Sequence, residues 1–124
     1  MSWLSAAIRD GRESVARKAS TDQHADRSAL DWLAEHRDDL EWLGGLAAAR
    51  VLGHLANGNK GRAETVFMAQ ASARDVHELR AAAGAAADAS VEERARKTRE
   101  AWARVLSIGA DVAKFALPFV VAAL

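Results

Sequence analysis

The side chains best suited to chemistry in this chain are its four histidines, His24, His36, His54 and His77. A carboxylate-bridged di-iron bundle needs a glutamate three residues before a histidine on two of its helices, and no histidine here has one. The acidic neighbours of His36 and His77 lie at spacings that are not diagnostic of a metal site. The chain has no cysteine, which removes thiolate zinc sites, thiol nucleophiles and disulfides. We predict no metal site and no cofactor.

Familiar catalytic and phosphate-binding patterns also fail. The segment from Gly53 to Lys60 resembles a phosphate loop, but Asn59 separates the lysine from the second glycine, Gly61 replaces the required Ser or Thr, and no strand precedes it. No serine lies in the glycine-flanked turn of an α/β-hydrolase nucleophile. Adjacent carboxylates are explained by solvation or helix capping. We therefore predict no catalytic residue and a protein that is not an enzyme.

One segment is basic and another is acidic, although 17 basic and 17 acidic residues give the chain zero net charge. Residues 22–41 carry seven acidic side chains against two arginines. The basic face of the last helix consists of Arg94, Arg96, Lys97, Arg99 and Arg104. The two segments could lie side by side, within one chain or between copies, although charged helix faces are most often simply solvated. Clustered basic residues can contact phosphates, but the zero net charge argues against nucleic acid as the main partner.

The C-terminal tail is the most informative stretch. Its large apolar side chains are Phe115, Leu117, Phe119, Val120, Val121 and Leu124. The uncharged run from Phe115 is too short for a membrane span of about 18–20 residues, and Asp111 and Lys114 precede it. We expect the tail to be buried against protein, in a helical core or between copies. Insertion into a membrane, alone or as an oligomeric pore, is the alternative.

The elements that must position these residues are helices. Alanine, the strongest helix former, contributes 30 of the 124 residues, and there is one proline. The length fits one domain over residues 1–124. We predict an all-α, alanine-rich bundle of four to five helices: an N-terminal helix over 1–19, a helical hairpin or kinked helix over 22–56, a helix over 62–87, a long C-terminal helix over 90–117, and the apolar tail over 118–124. Asn57 to Gly61 is a turn pattern.

Apolar residues at helical spacing predict the buried faces. In chain order these are Leu4, Ile8 and Val15, and then Leu33, Leu40 and Leu43. The apolar residues of the next helical segment are Leu46, Val51, Leu52 and Leu55, and a heptad seam of mostly small residues follows at Ala69, Ser72, Val76 and Leu79. For the last helix we predict a start at a Ser90–Glu93 capping box and an end or a kink around Leu117, before Pro118. Its heptad seam predicts an oligomer interface through Val91, Ala95, Trp102, Val105, Val112 and Ala116.

These patterns favour a non-enzymatic helical subunit of a larger oligomeric assembly, for example a virion or secretion-type complex, with copies of itself or other proteins as partners. The alternative is a membrane-active or membrane-anchored protein that inserts its C-terminus. A small DNA-binding regulator that uses the basic face is the third hypothesis. The lack of cysteine and of a signal-peptide core predicts an intracellular protein or a component of a larger particle, with peripheral or tail-anchored membrane association left open.

Overall fold

The computed structural model describes the backbone of residues 3–17, 23–82 and 87–124, and side chains over 3–17, 24–74 and 92–124. The described backbone is helical throughout except for short connections, which confirms the all-α class. It forms seven helices where four to five were predicted: α1 Trp3–Arg17, α2 Gln23–Glu35, α3 Arg37–Leu43, α4 Gly45–Ala56, α5 Lys60–Ala82, α6 Ala87–Val105 and α7 Ala110–Ala122. The additional helices arise because two long helices predicted from the sequence are interrupted.

Helix α1 buries the predicted Leu4, Ile8 and Val15, together with Gly11 between them. A Cβ atom at Gly11 would lie 2.7 Å from Cδ2 of Leu30 on α2 and 2.9 Å from Cδ1 of Phe119 on α7. The glycine that weakens α1 as an isolated helix is therefore the point at which two other helices approach its backbone.

The second predicted helix is interrupted at His36 and again at Gly44. The first break is slight, because His36 N–H still donates to the carbonyl of Trp32 and the carbonyl of His36 accepts from Leu40. Gly44 has φ +99° and ψ 154°, a backbone region essentially restricted to glycine. It separates α3 from α4 outright.

Helix α4 turns into α5 through the predicted Asn57–Gly58–Asn59 turn, in which Gly58 has φ +77°. Helix α5 begins at Lys60, so the turn is shorter than predicted. Its buried side chains are Ala63, Phe67 and Ala71. Ala69 and Ser72, from the predicted seam on this helix, are exposed within the chain. The side chains of Val76 and Leu79 lie outside those that the structure describes.

The predicted start of the last helix is wrong. Ser90 lies inside α6, which already includes Ala87, so it does not occupy the N-cap position. The alanines before Ser90 favour the helical conformation strongly enough that the helix extends beyond the capping box.

The long C-terminal helix is also wrong in its extent. Helix α6 ends at Val105, residues 106–109 form a connector, and α7 runs on at 105° to α6. Helix α7 continues to Ala122 with Pro118 inside it, so of the two predicted outcomes near Leu117, an end or a kink, the end is wrong. Pro118 and Lys114, whose carbonyl the proline leaves without a helical donor, are both exposed, and water can solvate that carbonyl.

Helix α7 lies mainly against α4 and also contacts α2 and α1, while α5 packs between α4 and α6. The side chains with no exposed surface come from most of these elements and include Leu4, Leu33, Leu40, Leu43, Val51, Leu52, Phe67, Val105 and Val120. This core determines which of the predicted surfaces remain accessible.

Candidate interaction surfaces

The C-terminal tail packs mostly inside its own chain. Val120 is fully buried, and Phe115, Leu117 and Phe119 are half-buried. Val121 and Leu124 remain 53% and 59% exposed. Four of the six residues predicted as a buried tail therefore contribute to the helical core, while the last turn of α7 leaves two large side chains at the surface.

The residues of the predicted oligomer seam likewise differ in how far their own chain buries them. Trp102, Val105 and Ala116 are buried within the chain, and the indole of Trp102 packs against Phe67 with ring centroids 5.2 Å apart. Ala95 and Val112 are half-buried, and the side chain of Val91 lies outside those described. In this bent arrangement the seam packs α6 and α7 onto their own chain, and its role between copies stays a prediction.

The acidic and basic segments meet at one point within the chain. The guanidinium of Arg104 on α6 donates two hydrogen bonds to the carboxylate of Asp39 on α3, at 3.0 and 3.1 Å. The Asp39 side chain is only 18% exposed. The hydrogen bond to Asp39 raises the pKa of Arg104 from its ordinary value. This bidentate pair fixes the C-terminal end of α6 to α3.

The rest of the basic face is on the surface of α6. Arg96 pairs with Glu100 at 4.0 Å and Lys97 with Glu93 at 3.5 Å, both along the helix. Arg99 is exposed and Arg94 is half-buried. Exposed pairs of this kind contribute little to stability, and they reduce the positive charge available to a phosphate backbone.

Three large hydrophobic side chains are exposed at one end of the molecule. Leu46, in the first turn of α4, is 71% exposed. The Leu124 side chain occupies the space next to Gly45 where a Cβ atom would be, with the ring of Trp3 also nearby. Val121 lies three residues before Leu124, on the last turn of α7. We call Leu46, Val121 and Leu124 the apolar end.

Leu46 is one of the four apolar residues predicted for this helical segment, and it is the one that α4 leaves exposed. Val51, Leu52 and Leu55 are buried. At about 100° per residue, Leu46 lies nearly opposite Leu55 around α4, on the side of the exposed Arg50. Helical periodicity counted from the buried residues therefore identifies this position.

The histidines show no convergence on a metal site within the described side chains. His36 is buried against the ring of Trp32, with centroids 4.8 Å apart, while His24 is exposed and His54 is half-buried. Asp39, an acidic neighbour of His36 in the sequence, binds Arg104. No group of three or more metal-binding side chains occurs among the described residues, and His77 lies outside the described side chains.

Two open grooves between α1 and α2 were not anticipated from the sequence. The larger, about 340 Å³, is lined by Ser5, Ile8, Ala34 and several charged residues; the smaller, about 230 Å³, lies beside Leu30. Guanidinium groups in them could bind an anion, but three of the four lie near a carboxylate: Arg9 near Asp10 at 3.7 Å, Arg12 near Asp31 at 3.6 Å and Arg37 near Asp38 at 3.8 Å. The carboxylates offset the positive charge, so neither groove is a strong anion site.

Within the described ranges, no single helix has both the length and the apolar composition to cross a membrane. The part of α6 from Glu92 and α7 meet those criteria only when they are taken together, across their 105° bend.

No protein-family model, curated protein or solved structure matches this chain. The surfaces described above are therefore the basis for proposing what the protein does.

Proposed function

We propose that this chain is a non-catalytic helical subunit of a larger assembly and that it binds its neighbour through the apolar end. The observation behind this proposal is the joint exposure of Leu46, Val121 and Leu124 at one end of the molecule. Large apolar side chains scattered singly over a surface need no explanation, whereas several in one place are typical of an interaction site.

While they are exposed to water, these side chains do not gain the free energy of burial. Burying a valine or leucine completely is worth about 1.5–3 kcal/mol relative to exposure. A small domain has a total stability of only about 5–15 kcal/mol. Covering the three side chains with a partner would therefore be a substantial gain, even after the loss of molecular freedom on association.

Protein is a better partner than lipid for this surface. Helix α7, which carries most of the predicted membrane-inserting tail, packs on the core through its own Ala113, Ala116 and Val120, which are fully buried. Insertion of α7 into a bilayer would remove these side chains from their contacts with the other helices. The apolar end needs no such rearrangement to meet another protein. Membrane insertion remains the second candidate, and its support is the combined apolar character of α6 and α7.

The DNA-binding hypothesis has less support. Arg104 is held by Asp39, and two further basic side chains have carboxylate neighbours on the same helix. Their charge is largely compensated before any phosphate approaches.

The test uses the full chain with Leu46→Glu and Val121→Glu together. A carboxylate in the first turn of α4 is favourable to the helix dipole, so the variant should fold. Ala69→Glu, on an exposed position of α5, is the matched control. Light scattering after size exclusion, on the order of tens of micromolar, should show an assembly for the wild type and the control, and a smaller species for the double variant.

Two outcomes would overturn this proposal. One is a wild-type chain that stays monomeric and shows no association in that concentration range. The other is an assembly that the double change leaves intact. If the wild type instead binds liposomes and the double variant does not, lipid is the partner and the second candidate replaces the first.

A further inference from the structure

The bend between α6 and α7 is not imposed by the backbone of the connector. Gly109 has φ −81° and ψ 161°, values that any L-residue adopts. Its φ is already close to that of a helix, so the rotation of ψ is the main change needed to continue the helix through it. This glycine is not required for its conformational freedom.

The connector also retains much of the hydrogen bonding of a helix. Leu106 N–H donates to the carbonyl of Trp102 at 2.8 Å, Ser107 N–H to Arg104 at 3.1 Å and Ile108 N–H to Val105 at 3.2 Å. On the other side, the carbonyl of Gly109 accepts from Ala113 at 2.9 Å. The helical turns therefore stop at Ile108 and resume at Gly109.

The first turn of α7 would gain hydrogen bonds if the two helices joined. No side chain caps its N-terminus at Gly109, and the first N–H groups of a helix have no partner within that helix. In a continuous helix, Gly109 and Ala110 would donate to the carbonyls of Val105 and Leu106.

The apolar pattern of the sequence is continuous across the bend. Val105, Gly109, Val112 and Ala116 keep alternating four- and three-residue steps, which would place them on one face of a straight helix. The sequence is thus compatible with a straight helix and with the bent one, and packing of α7 on α4, α2 and α1 selects the bent form in a single chain.

We infer that α7 exchanges between two copies of this chain. In each copy α6 and α7 straighten into one helix, and α7 occupies the groove on α4, α2 and α1 of the other copy. The occupant is a second α7 because that groove already fits α7 within one chain. The buried side chains of α7 are Ala113, Ala116 and Val120, all apolar, and each regains its contacts after exchange. Exchange of an identical element is a low-cost route to a dimer.

This inference goes beyond the proposed function, because it depends on the connector and not on the apolar end. The two can fail separately. The Leu46→Glu, Val121→Glu variant retains the connector, and the substitutions used below retain Leu46 and Val121.

Two substitutions in the connector act in opposite directions. Ala110→Pro is compatible with the bent form: it occupies the first position of α7, where proline is favoured, and Gly109 has the extended ψ that a residue before proline requires. In a straight helix the same proline removes a hydrogen bond and clashes with the preceding turn. Gly109→Ala favours the straight helix by at most about 5-fold at each connector, the full difference in helix propensity, hence at most about 25-fold in the dimerisation constant.

Exchange is detected by a disulfide. The natural chain has no cysteine, and the Leu124 side chain lies against Gly45, so Gly45→Cys with Leu124→Cys introduces one pair of neighbouring thiols. Oxidation forms an intrachain disulfide when α7 packs on its own chain and an interchain disulfide when α7 has exchanged. A denaturing, non-reducing gel separates the products, and Leu124→Cys alone measures links from random collision.

We expect a covalent dimer above the single-cysteine background, more of it with Gly109→Ala and none with Ala110→Pro. Circular dichroism checks that Ala110→Pro keeps its helix content. Should that variant fail to fold, the comparison of Gly109→Ala with the natural connector decides on its own. Two results would overturn the inference. One is that both the natural connector and Gly109→Ala give intrachain disulfides and no covalent dimer. The other is that a folded Ala110→Pro variant gives as much covalent dimer as the natural connector.

Discussion

Gly44 and Gly109 each lie at a break between two helices in the described part of the chain, and they do so for different reasons. At Gly44, between α3 and α4, the backbone has φ +99° and ψ 154°, whereas at Gly109, between α6 and α7, it has φ −81° and ψ 161°. The first conformation is essentially closed to other residues and the second is open to all. One break is therefore fixed by local stereochemistry and the other by the packing of the helices on either side.

Their surroundings support the same distinction. A Cβ atom at either position would meet nothing within 4 Å, so neither glycine is needed for close approach. What holds α6 and α7 at 105° is burial: Val105 and Ile108 before the break, and Ala113, Ala116 and Val120 after it. Loss of this packing should release the bend at Gly109 and leave the one at Gly44 unchanged.

The largest expected effect comes from removing that packing on the α6 side. Trp102→Ala should lower the free energy of unfolding by about 3–5 kcal/mol, because the indole is buried against Phe67. Urea denaturation followed by circular dichroism measures the change. Trp42→Ala, at a half-buried tryptophan, is the control and should cost less. Equal losses at the two positions would mean that Trp102 is not a main contact of α6.

The next largest effect is expected at Gly11, where α7 packs against α1. Gly11→Ala introduces a methyl group 2.7 Å from Leu30 and 2.9 Å from Phe119, and such overpacking should cost about 1–3 kcal/mol. Gly53→Ala, inside α4 with open space around it, is the matched control and should stabilise the chain by about 0.5–1 kcal/mol. The comparison would fail if both substitutions shifted the unfolding midpoint in the same direction.

A smaller effect is expected at the ion pair that fixes α6 to α3. Arg104→Gln should cost at most about 1 kcal/mol because the arginine is largely exposed, and salt should reduce the difference. Arg104→Lys keeps the charge but loses the bidentate geometry with Asp39. Denaturation at low and high salt measures both; a loss that salt does not affect would indicate packing by the side chain and not charge.

The pH dependence of this contribution follows from the pKa of Arg104, which is raised. A raised pKa means that protonation of Arg104 contributes its full stabilisation below the ordinary pKa of arginine, and that this contribution is lost only as the pH rises through the raised value. Titration of Arg104 should therefore leave stability unchanged near neutral pH.

The sequence was a good guide where one local cause decides the structure. High alanine content predicted the helices, Asn57–Gly58–Asn59 predicted the turn, and Leu4, Ile8 and Val15 at helical spacing predicted the buried face of α1. The predicted helical hairpin or kinked helix over 22–56 allowed for the break between α3 and α4. In each case the residue types have few alternatives.

It was a poor guide where packing decides. Nothing local distinguishes Gly109 from a glycine inside a helix, so the heptad pattern predicted one long helix through it. Pro118 predicted an end or a kink, yet α7 continues beyond it. Water can solvate the Lys114 carbonyl, which has no helical donor, because both residues are exposed. The apolar end was only partly predicted. Val121 and Leu124 belong to the tail that was predicted to be buried, but only the other four large side chains of that tail contact the core. The core of a single chain buries only some of the large apolar side chains in the sequence and leaves Leu46, Val121 and Leu124 exposed.

The most direct test of the difference between the two breaks is the free energy of unfolding of Gly44→Ala and Gly109→Ala, measured side by side in urea at a concentration low enough to keep both monomeric. Gly44→Ala should lose about 1–3 kcal/mol, the cost of a strained backbone region. Gly109→Ala should match the wild type or gain about 0.4–1 kcal/mol, because alanine restricts the unfolded chain without straining the folded one. A comparable loss at both positions would show that the bend at Gly109 needs its glycine, and would contradict the account.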